Sequence, residues 1–425
     1  MKILVVLTYY RPHISGLTIY VERLSRALVE RGHQVTVLTS RYDRSLPREE
    51  DIDGVRVVRA PVLLRVSKGV IMPTFGWLAT QLTRQHEVIH LHLPQFDAPG
   101  LALRGRLMGR PVVLTYHSDL RLPPGMFNRL VNNVVLVNNW LAGRLADAVV
   151  AYTEDFALHS HFLAPLMDKV EVIPPPVTIP PAAPGAVEAF AQKWNLDGRK
   201  VIGMCARLAT EKGVEVLLGA LPRILDEFPK TRVLFAGPYQ DVLGEEEYAR
   251  RLQPWLQKYA DHWTWLGSLS QEKIAAFYTN CDLTVLPSLN STESFGLVQI
   301  EGMLCGAPSV ASNLPGVRQP ALMTGMGEIA PIGDPAGLAE AILKVLRDTP
   351  RYLRPPQVIA ETFSPAETAR RYEALFNRLL GSPATGRGTL RSPAGELDGL
   401  DVYARLRELA GRRSRTDDQS GVEMN

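Results

Sequence analysis

Short aliphatic and β-branched runs recur along the first part of the chain: KILVVLT, QVTVLTS, VRVVRAP, VIHLHLP, VVLTYHS, DAVVAYT and VEVIPPP. Stretches of helical period separate them, IYVERLSRALVERGH being the clearest. Strands apolar at consecutive positions are buried on both faces, so their alternation with amphipathic helices predicts a parallel sheet covered by helices on both sides. The pattern breaks at PPPVTIPPAAPG, residues 174–185, where proline excludes helix and central strand and predicts a semi-rigid connector. It restarts with KVIGMCA, a helix over about Val214 to Phe228, RVLFAGP, a helix over about Glu245 to Tyr259, WTWLGSL, LTVLPS, PSVAS and EIAPIGD. An α/β chain of two similar domains is therefore predicted: 1–176, a Pro-rich linker over 177–198, and 199–364. Residues 381–425 are rich in Gly, Ser and Pro and read as a flexible tail, with one amphipathic stretch, LDVYARLRELAGRR.

Length supports two domains, because 425 residues exceed the roughly 250–300 at which a single core stops growing. A formal net charge of +3 argues against nucleic acid as a partner, which calls for a strong basic excess on one face. Cys205, Cys281 and Cys305 are odd in number and show no CxxC spacing, so neither a disulfide framework nor a zinc site is expected. After Lys2 the N-terminus offers only five apolar residues, too few for the core of a secretory signal, and a cytoplasmic location is expected. The stretch LVNNVVLVNNWLAG, residues 130–143, is too short and too rich in asparagine to span a bilayer.

Candidate chemistry gathers at ESFGLVQIEGMLCG, residues 293–306. The strand LTVLP ends in a polar loop carrying Glu293, and a helix is expected from Phe295 with Ser294 as its N-cap. Glu301 then falls about two turns inside, among Val298, Ile300, Met303 and Leu304, where a buried carboxylate needs a polar partner. Eight helical positions span about 12 Å. That exceeds the roughly 5–9.5 Å between the two carboxylates of a glycosidase, but suits two grips on an extended ligand. Gly296 would leave the helix N-terminus open to a phosphate. A nucleoside, a diphosphate and a sugar would fill these three places. The local features equally allow a solvated Glu293 and a Glu301 paired within the core.

A second cluster is CARLATEKGVEVLLGAL, in which Arg207 and Lys212 follow a strand and Gly213 supplies a sharp turn. Such cations could neutralise a diphosphate, the arginine as a planar fork and the lysine as a point charge, although loop cations are commonly just solvated. His90 and His92 share one face of VIHLHLP, and His117 ends the next strand. With no carboxylate or cysteine at metal-ligand spacing, structural histidines are expected and a metal is not.

PSLNSTESFGLVQIEGMLCGAPSVASNLPG resembles the signature of glycosyltransferase family 4, retaining enzymes of the GT-B fold marked by two glutamates with seven residues between them. ISGLTIYVERLSRALVERGHQVTVLTS, VVLTYHSD, VEVIPPPV, ARLATEKGVEVLLGAL and FSPAETARRYEALFNRLL resemble further stations of that family, in order. The resemblance implies two Rossmann-like domains facing each other across a cleft, with a helix at about 365–380 returning to the first. It implies Arg207 and Lys212 on the diphosphate, Glu301 on the ribose, and Glu293 with the backbone of Phe295, Gly296 and Leu297 on the sugar. Gly16 would let the N-terminal loop approach the phosphates, and His117 would stand near the sugar. The chain departs from the family in having Ser15 before Gly16, Gly302 after Glu301, and IPPPV at the end of the first domain.

The expected activity is transfer of a sugar from a nucleotide diphosphate sugar to an unidentified acceptor, retaining configuration, with no cofactor or metal. Two alternatives stay open, a nucleotide-sugar 2-epimerase and a non-catalytic nucleotide-sugar-binding protein. VLLRVSKGVIMPTFGWLATQL (62–82) and FNRLVNNVVLVNNWLAGRL (127–145) combine apolar residues, Trp77, Trp140, Arg65, Lys68, Arg129 and Arg144. They suggest peripheral contact with an anionic membrane face, core packing being the other reading.

Overall fold

The structure is a computed structural model that describes residues 1–66, 69–119, 126–240, 242 and 244–381. Lys68 and the tail beyond Gly381, with its amphipathic stretch, lie outside the described residues. The chain divides into two compact units, one of Met1–Pro176 joined by the segment starting at Phe363, the other of Val177–Thr362.

In the first unit, β1 (Lys2–Val6), β2 (Gln34–Arg41), β3 (Glu49–Ile52), β4 (Val55–Pro61), β7 (Val88–Leu93), β8 (Val112–Tyr116), β9 (Ala148–Ala151) and β10 (Val170–Val172) form one sheet. A small hairpin of β5 (Leu64–Val66) and β6 (Gly69–Ile71) stands outside it. The order is β10-β9-β8-β7-β1-β2-β4-β3. Every pairing is parallel except β3 with β4. That antiparallel edge, EEDI, carries three acidic residues and no aliphatic run, which is why the hydrophobic pattern did not disclose it. Helices α1 (Gly16–Glu30), α2 (Phe75–Gln85), α3 (Ala98–Leu107), α4 (Met126–Leu145) and α5 (Glu154–His159) connect the strands. The Ser15 side chain caps α1 by accepting from the Thr18 N–H at 3.2 Å. Leu4, Val6, Ile89, Leu91, Val112 and Leu114 lie in the core, all fully buried.

The second unit holds β11 (Val201–Cys205), β12 (Arg232–Ala236), β13 (Trp263–Gly267), β14 (Leu283–Leu286), β15 (Ser309–Ser312) and β16 (Gly327–Ala330), ordered β13-β12-β11-β14-β15-β16 and all parallel. Its helices are α6 (Ala186–Lys193), α7 (Val214–Glu227), α8 (Glu246–Lys258), α9 (Gln271–Thr279), α10 (Leu297–Leu304), α11 (Gln319–Thr324), α12 (Pro335–Arg347) and α13 (Pro356–Phe363). Helix α6 corrects the reading of 177–198 as linker throughout. Phe190 and Leu196 are buried beside Val201, Leu234 and Phe277, so the proline-rich stretch leads into a helix packed on the second sheet.

The last described helix, α14 (Pro365–Gly381), belongs to the first unit and packs on α1. Its Tyr372 hydroxyl lies 2.8 Å from that of Tyr20 and 2.7 Å from Thr115 Oγ1, and all three residues are buried. Such a hydrogen-bonded cluster fixes the helix register more tightly than apolar contact alone.

Candidate functional site

In the second sheet the chain runs from β11 through α7 to β12 on one side, and β14 lies on the other side of β11. The connections leaving β11 and β14 therefore part in opposite directions, the topological switch point at which open α/β sheets bind ligands. The loop after β11 carries Arg207 and Lys212, and the loop after β14 carries Glu293, Phe295 and Gly296.

Close backbone contact fixes the two loops together. Gly213 has φ +67°, and a Cβ there would lie 2.2 Å from the Pro287 carbonyl oxygen, so only glycine lets the Lys212 turn sit against the β14 loop. The Leu289 N–H donates to the Glu211 carbonyl at 2.9 Å. Across this seam the Lys212 ammonium donates to Glu293 Oε2 at 2.6 Å. Arg207 pairs with Glu211 through Nη2, and its Nη1 lies 3.7 Å from Glu245 Oε1. Lys212 and Glu293 thus meet across the seam, and Arg207 is held in the same loop as Lys212, each as a member of an ion pair.

Helix α10 begins at Leu297, not at Phe295, and its cap residue is Gly296 with no side-chain cap bond. Ser294 is buried ahead of it and does not serve as N-cap. The reason is Gly296 itself, at φ +81°, which breaks the helical path two residues after Ser294. A Cβ at 296 would come within 2.3 Å of Leu286 Cδ2, so the fold requires this glycine whatever binds near it. Glu301 consequently stands one turn inside the helix instead of two, and it is half-buried where full burial was expected. The Tyr278 hydroxyl donates to Glu301 Oε2 at 3.1 Å, supplying the polar partner that the apolar surroundings demand. Burial, the nearby Cys205 and Glu301 together push the Tyr278 hydroxyl well above its ordinary pKa, and burial holds the Cys205 thiol up at about 12. Gly302 is explained by packing, since a Cβ there would sit 3.0 Å from Thr284 Cγ2 of β14.

Several contributors were invisible in the sequence. Gln299, fully buried, donates to the Phe295 and Val317 carbonyls at 3.0 and 2.8 Å and so fastens the start of α10. Glu211, Glu245 and Tyr278 meet the candidate residues only through folding. Glu245 lies beyond β12, and Tyr278 sits on α9 without any local sign of its bond to Glu301. The three cysteines, distant in sequence, are free thiols that share one apolar cluster.

In the first unit Gly16 opens α1, and a Cβ there would touch no protein atom within 4 Å, so packing does not demand glycine. His117 is buried just past β8, with Nε2 2.9 Å from His92 Nδ1 and Nδ1 bonded to the Tyr152 hydroxyl. His90 Nε2 lies 2.7 Å from Thr115 Oγ1, and its ring centroid is 4.2 Å from that of His92. Burial lowers His90 and His117 to about 3 and His92 well below its ordinary value, so the three imidazoles are neutral. Among the described residues no group of three or more His, Cys, Asp or Glu could hold a metal ion, and no helix is long and apolar enough to cross a membrane.

Two family models match the chain, a glycosyl transferase 4-like domain over residues 15–176 and glycosyl transferases group 1 over residues 187–357. The 2-deoxystreptamine N-acetyl-D-glucosaminyltransferase of Streptomyces fradiae is 30% identical over 366 residues, covering 80% of this chain and 84% of that protein. The phosphatidyl-myo-inositol mannosyltransferase of Mycobacterium leprae is 29% identical over 368 residues, 84% of this chain and 89% of its own. Among solved structures, sucrose-phosphate synthase from Thermosynechococcus elongatus superposes with a TM-score of 0.69 at 21% identity, covering 89% of this chain and 98% of that one. HepE of Anabaena, solved in complex with UDP, gives 0.69 at 19% identity, covering 89% and 100%. The fold is that of the GT-B glycosyltransferases, two Rossmann-like domains built on parallel sheets. Sequence match across both units and the shared architecture agree, and the chain belongs to glycosyltransferase family 4.

Proposed function

We propose that this glycosyltransferase takes its sugar from a nucleotide diphosphate sugar and passes it to an acceptor with the anomeric configuration kept. Arg207 and Lys212 would hold the diphosphate, Glu301 the ribose, and Glu293 the sugar hydroxyls, with the backbone N–H groups of Phe295, Gly296 and Leu297 beside it. The observation that carries this reading is the Lys212–Glu293 contact of 2.6 Å at the β11/β14 switch point. A group that binds a phosphate and one that binds the adjoining sugar should be neighbours, and these are. The same proposal takes in Gly16, whose missing side chain no packing explains, and His117 as a neutral imidazole.

Departure of the nucleoside diphosphate is the difficult step, and the two cations with the open N-terminus of α10 would stabilise its developing charge. With both glutamates engaged in binding, acceptor attack from the leaving-group face, a donor phosphate oxygen taking the proton, supplies retention. Since Arg207 and Lys212 carry the positive charge, turnover should survive EDTA. A thermal-shift screen of nucleotide sugars identifies the donor through the stabilisation it confers. Proton NMR of donor with acceptor then reads the product's anomeric configuration, and an inverted product defeats the retaining mechanism. Incubation of donor alone separates transfer from 2-epimerisation, and a donor that binds without transfer or hydrolysis would indicate a sensor. The named glycosyltransferase relatives favour transfer.

Peripheral membrane contact is a second reading, favoured by the outer face of α4. Val134, Val137, Trp140 and Leu141 are exposed there at helical spacing, and the Arg144 guanidinium stacks 4.8 Å from the Trp140 ring. Apolar residues with an interfacial tryptophan and arginines suit an anionic lipid surface. Flotation with anionic liposomes at low salt tests it, and absence of the protein from the lipid fraction removes it.

A further inference from the structure

Among the described residues, the proposed diphosphate site contains more negative than positive charge. Three carboxylates among the described residues stand around Arg207 and Lys212: Glu293 at 2.6 Å from the Lys212 ammonium, Glu211 bonded to Arg207 Nη2, and Glu245 at 3.7 Å from Arg207 Nη1. Two formal positive charges thus face three negative ones, where the ligand itself is an anion. Glu293 has a place in the proposed chemistry, as a grip on sugar hydroxyls. Glu211 and Glu245 have none.

Glu245 is also firmly placed. It sits at the N-terminus of α8, and its Oε2 accepts from the Thr210 N–H at 3.0 Å and the Thr210 hydroxyl at 2.8 Å. Oε1 is left facing Arg207. One carboxylate from the β12–α8 connection therefore holds the start of the Thr210–Lys212 turn and draws on the guanidinium at once. Glu211 and Glu245 are mostly covered, with 18% and 14% of their side chains exposed, whereas Arg207 at 39% is open to an incoming ligand.

We propose that Glu211 and Glu245 act as a carboxylate latch that competes with the diphosphate for Arg207 and so weakens retention of the released nucleoside diphosphate. The inference rests on the assignment of Arg207 to the diphosphate. A released nucleoside diphosphate carries one more negative charge than its sugar ester, so a nearby carboxylate pair disfavours product more than donor. Glu211 and Glu245 touch no reacting atom in this scheme. They are positioning residues acting through Arg207.

Inorganic pyrophosphate, binding without any nucleobase, is the probe. Its affinity is measured by calorimetry on the full chain for wild type, Glu245→Gln, Glu211→Gln, Arg207→Ala and the two Gln variants combined with Arg207→Ala. Glutamine at 245 keeps an acceptor oxygen for Thr210, and a melting temperature for each variant reports the fold. The latch requires each Gln variant to bind pyrophosphate about threefold to fivefold more tightly, the scale of a half-exposed ion pair, and to lose that gain in the Arg207→Ala background. A purely structural role would leave affinity unchanged or weaker and overturns the latch. Tightening that persists undiminished without Arg207 reflects general repulsion and overturns it as well. If Arg207→Ala itself binds pyrophosphate like wild type, the assignment of Arg207 to the diphosphate fails, a result distinct from the other two.

Discussion

Lys212 Nζ and Glu293 Oε2 lie 2.6 Å apart, joining the loop after β11 to the loop after β14, with less than a fifth of either side chain exposed. The pair is a neutralised couple whose members are proposed to take up a phosphate and the sugar next to it. Breaking it should harm function far more than stability. Lys212→Ala is expected to lower kcat/KM by at least about 100-fold, the scale of losing one donor to a developing anion. Because the contact remains part-exposed, the melting temperature should fall by only a few degrees. Steady-state kinetics with calorimetry checks both, and near-normal turnover would remove Lys212 from the site.

Three glycines separate fold from ligand. Gly213→Ala and Gly296→Ala each place a Cβ within 2.3 Å of a neighbouring atom at positive φ. Each should destabilise the chain by about 1–3 kcal/mol or more, seen as a lower denaturation midpoint. Gly16→Ala meets nothing within 4 Å and should leave that midpoint unchanged. If Gly16 keeps a phosphate approach open, its alanine variant should nonetheless raise the KM for donor; unaltered kinetics would show that Gly16 has no such role.

Acid should weaken the first unit through its buried imidazoles. His90 faces Thr115, Tyr372 and Phe376, His92 faces His117 and Tyr20, and His117 faces Tyr152. None of these neighbours is a carboxylate, and burial holds His90 and His117 at about 3. In the unfolded chain each takes a proton near pH 6.5. The unfolded state therefore binds more protons between about 6.5 and 3, so stability is intact above that window and is lost as pH falls into it. The loss approaches about 1.4 kcal/mol per histidine per pH unit. Urea titrations at pH 7.5 and 5.5 measure it, with His90→Gln flattening the dependence; equal midpoints at both pH values would show that these imidazoles can be charged inside the fold.

Tyr278→Phe removes the 3.1 Å hydrogen bond to Glu301 and the hydroxyl's bond with the Cys205 thiol while keeping the ring. If Glu301 grips the ribose, loosening its orientation should raise the donor KM severalfold while kcat changes less, because a remote grip contributes to binding more than to the reacting centre. A fall in kcat alone would place Glu301 nearer the chemistry than the ribose.

Local pattern and composition were enough to set the class of architecture and to single out candidate residues for a site. Apolar runs such as VIHLHLP and VVLTYHS can be buried only in a sheet covered on both faces, and burial on consecutive positions is a local property that a linear pattern records. Arg207, Lys212 and Glu293 in loops after strands, and Glu301 within a helix, were legible as candidates, and their expected roles came from the resemblance to glycosyltransferase family 4. Tertiary structure alone decided what these groups touch. The edge strand EEDI, the helix Ala186–Lys193, the start of α10 at Leu297, and the meetings of Lys212 with Glu293, Arg207 with Glu245 and Tyr278 with Glu301 depend on strand order and backbone approach. Such relations join residues tens of positions apart through steric and electrostatic fit, and one-dimensional periodicity holds no term for them.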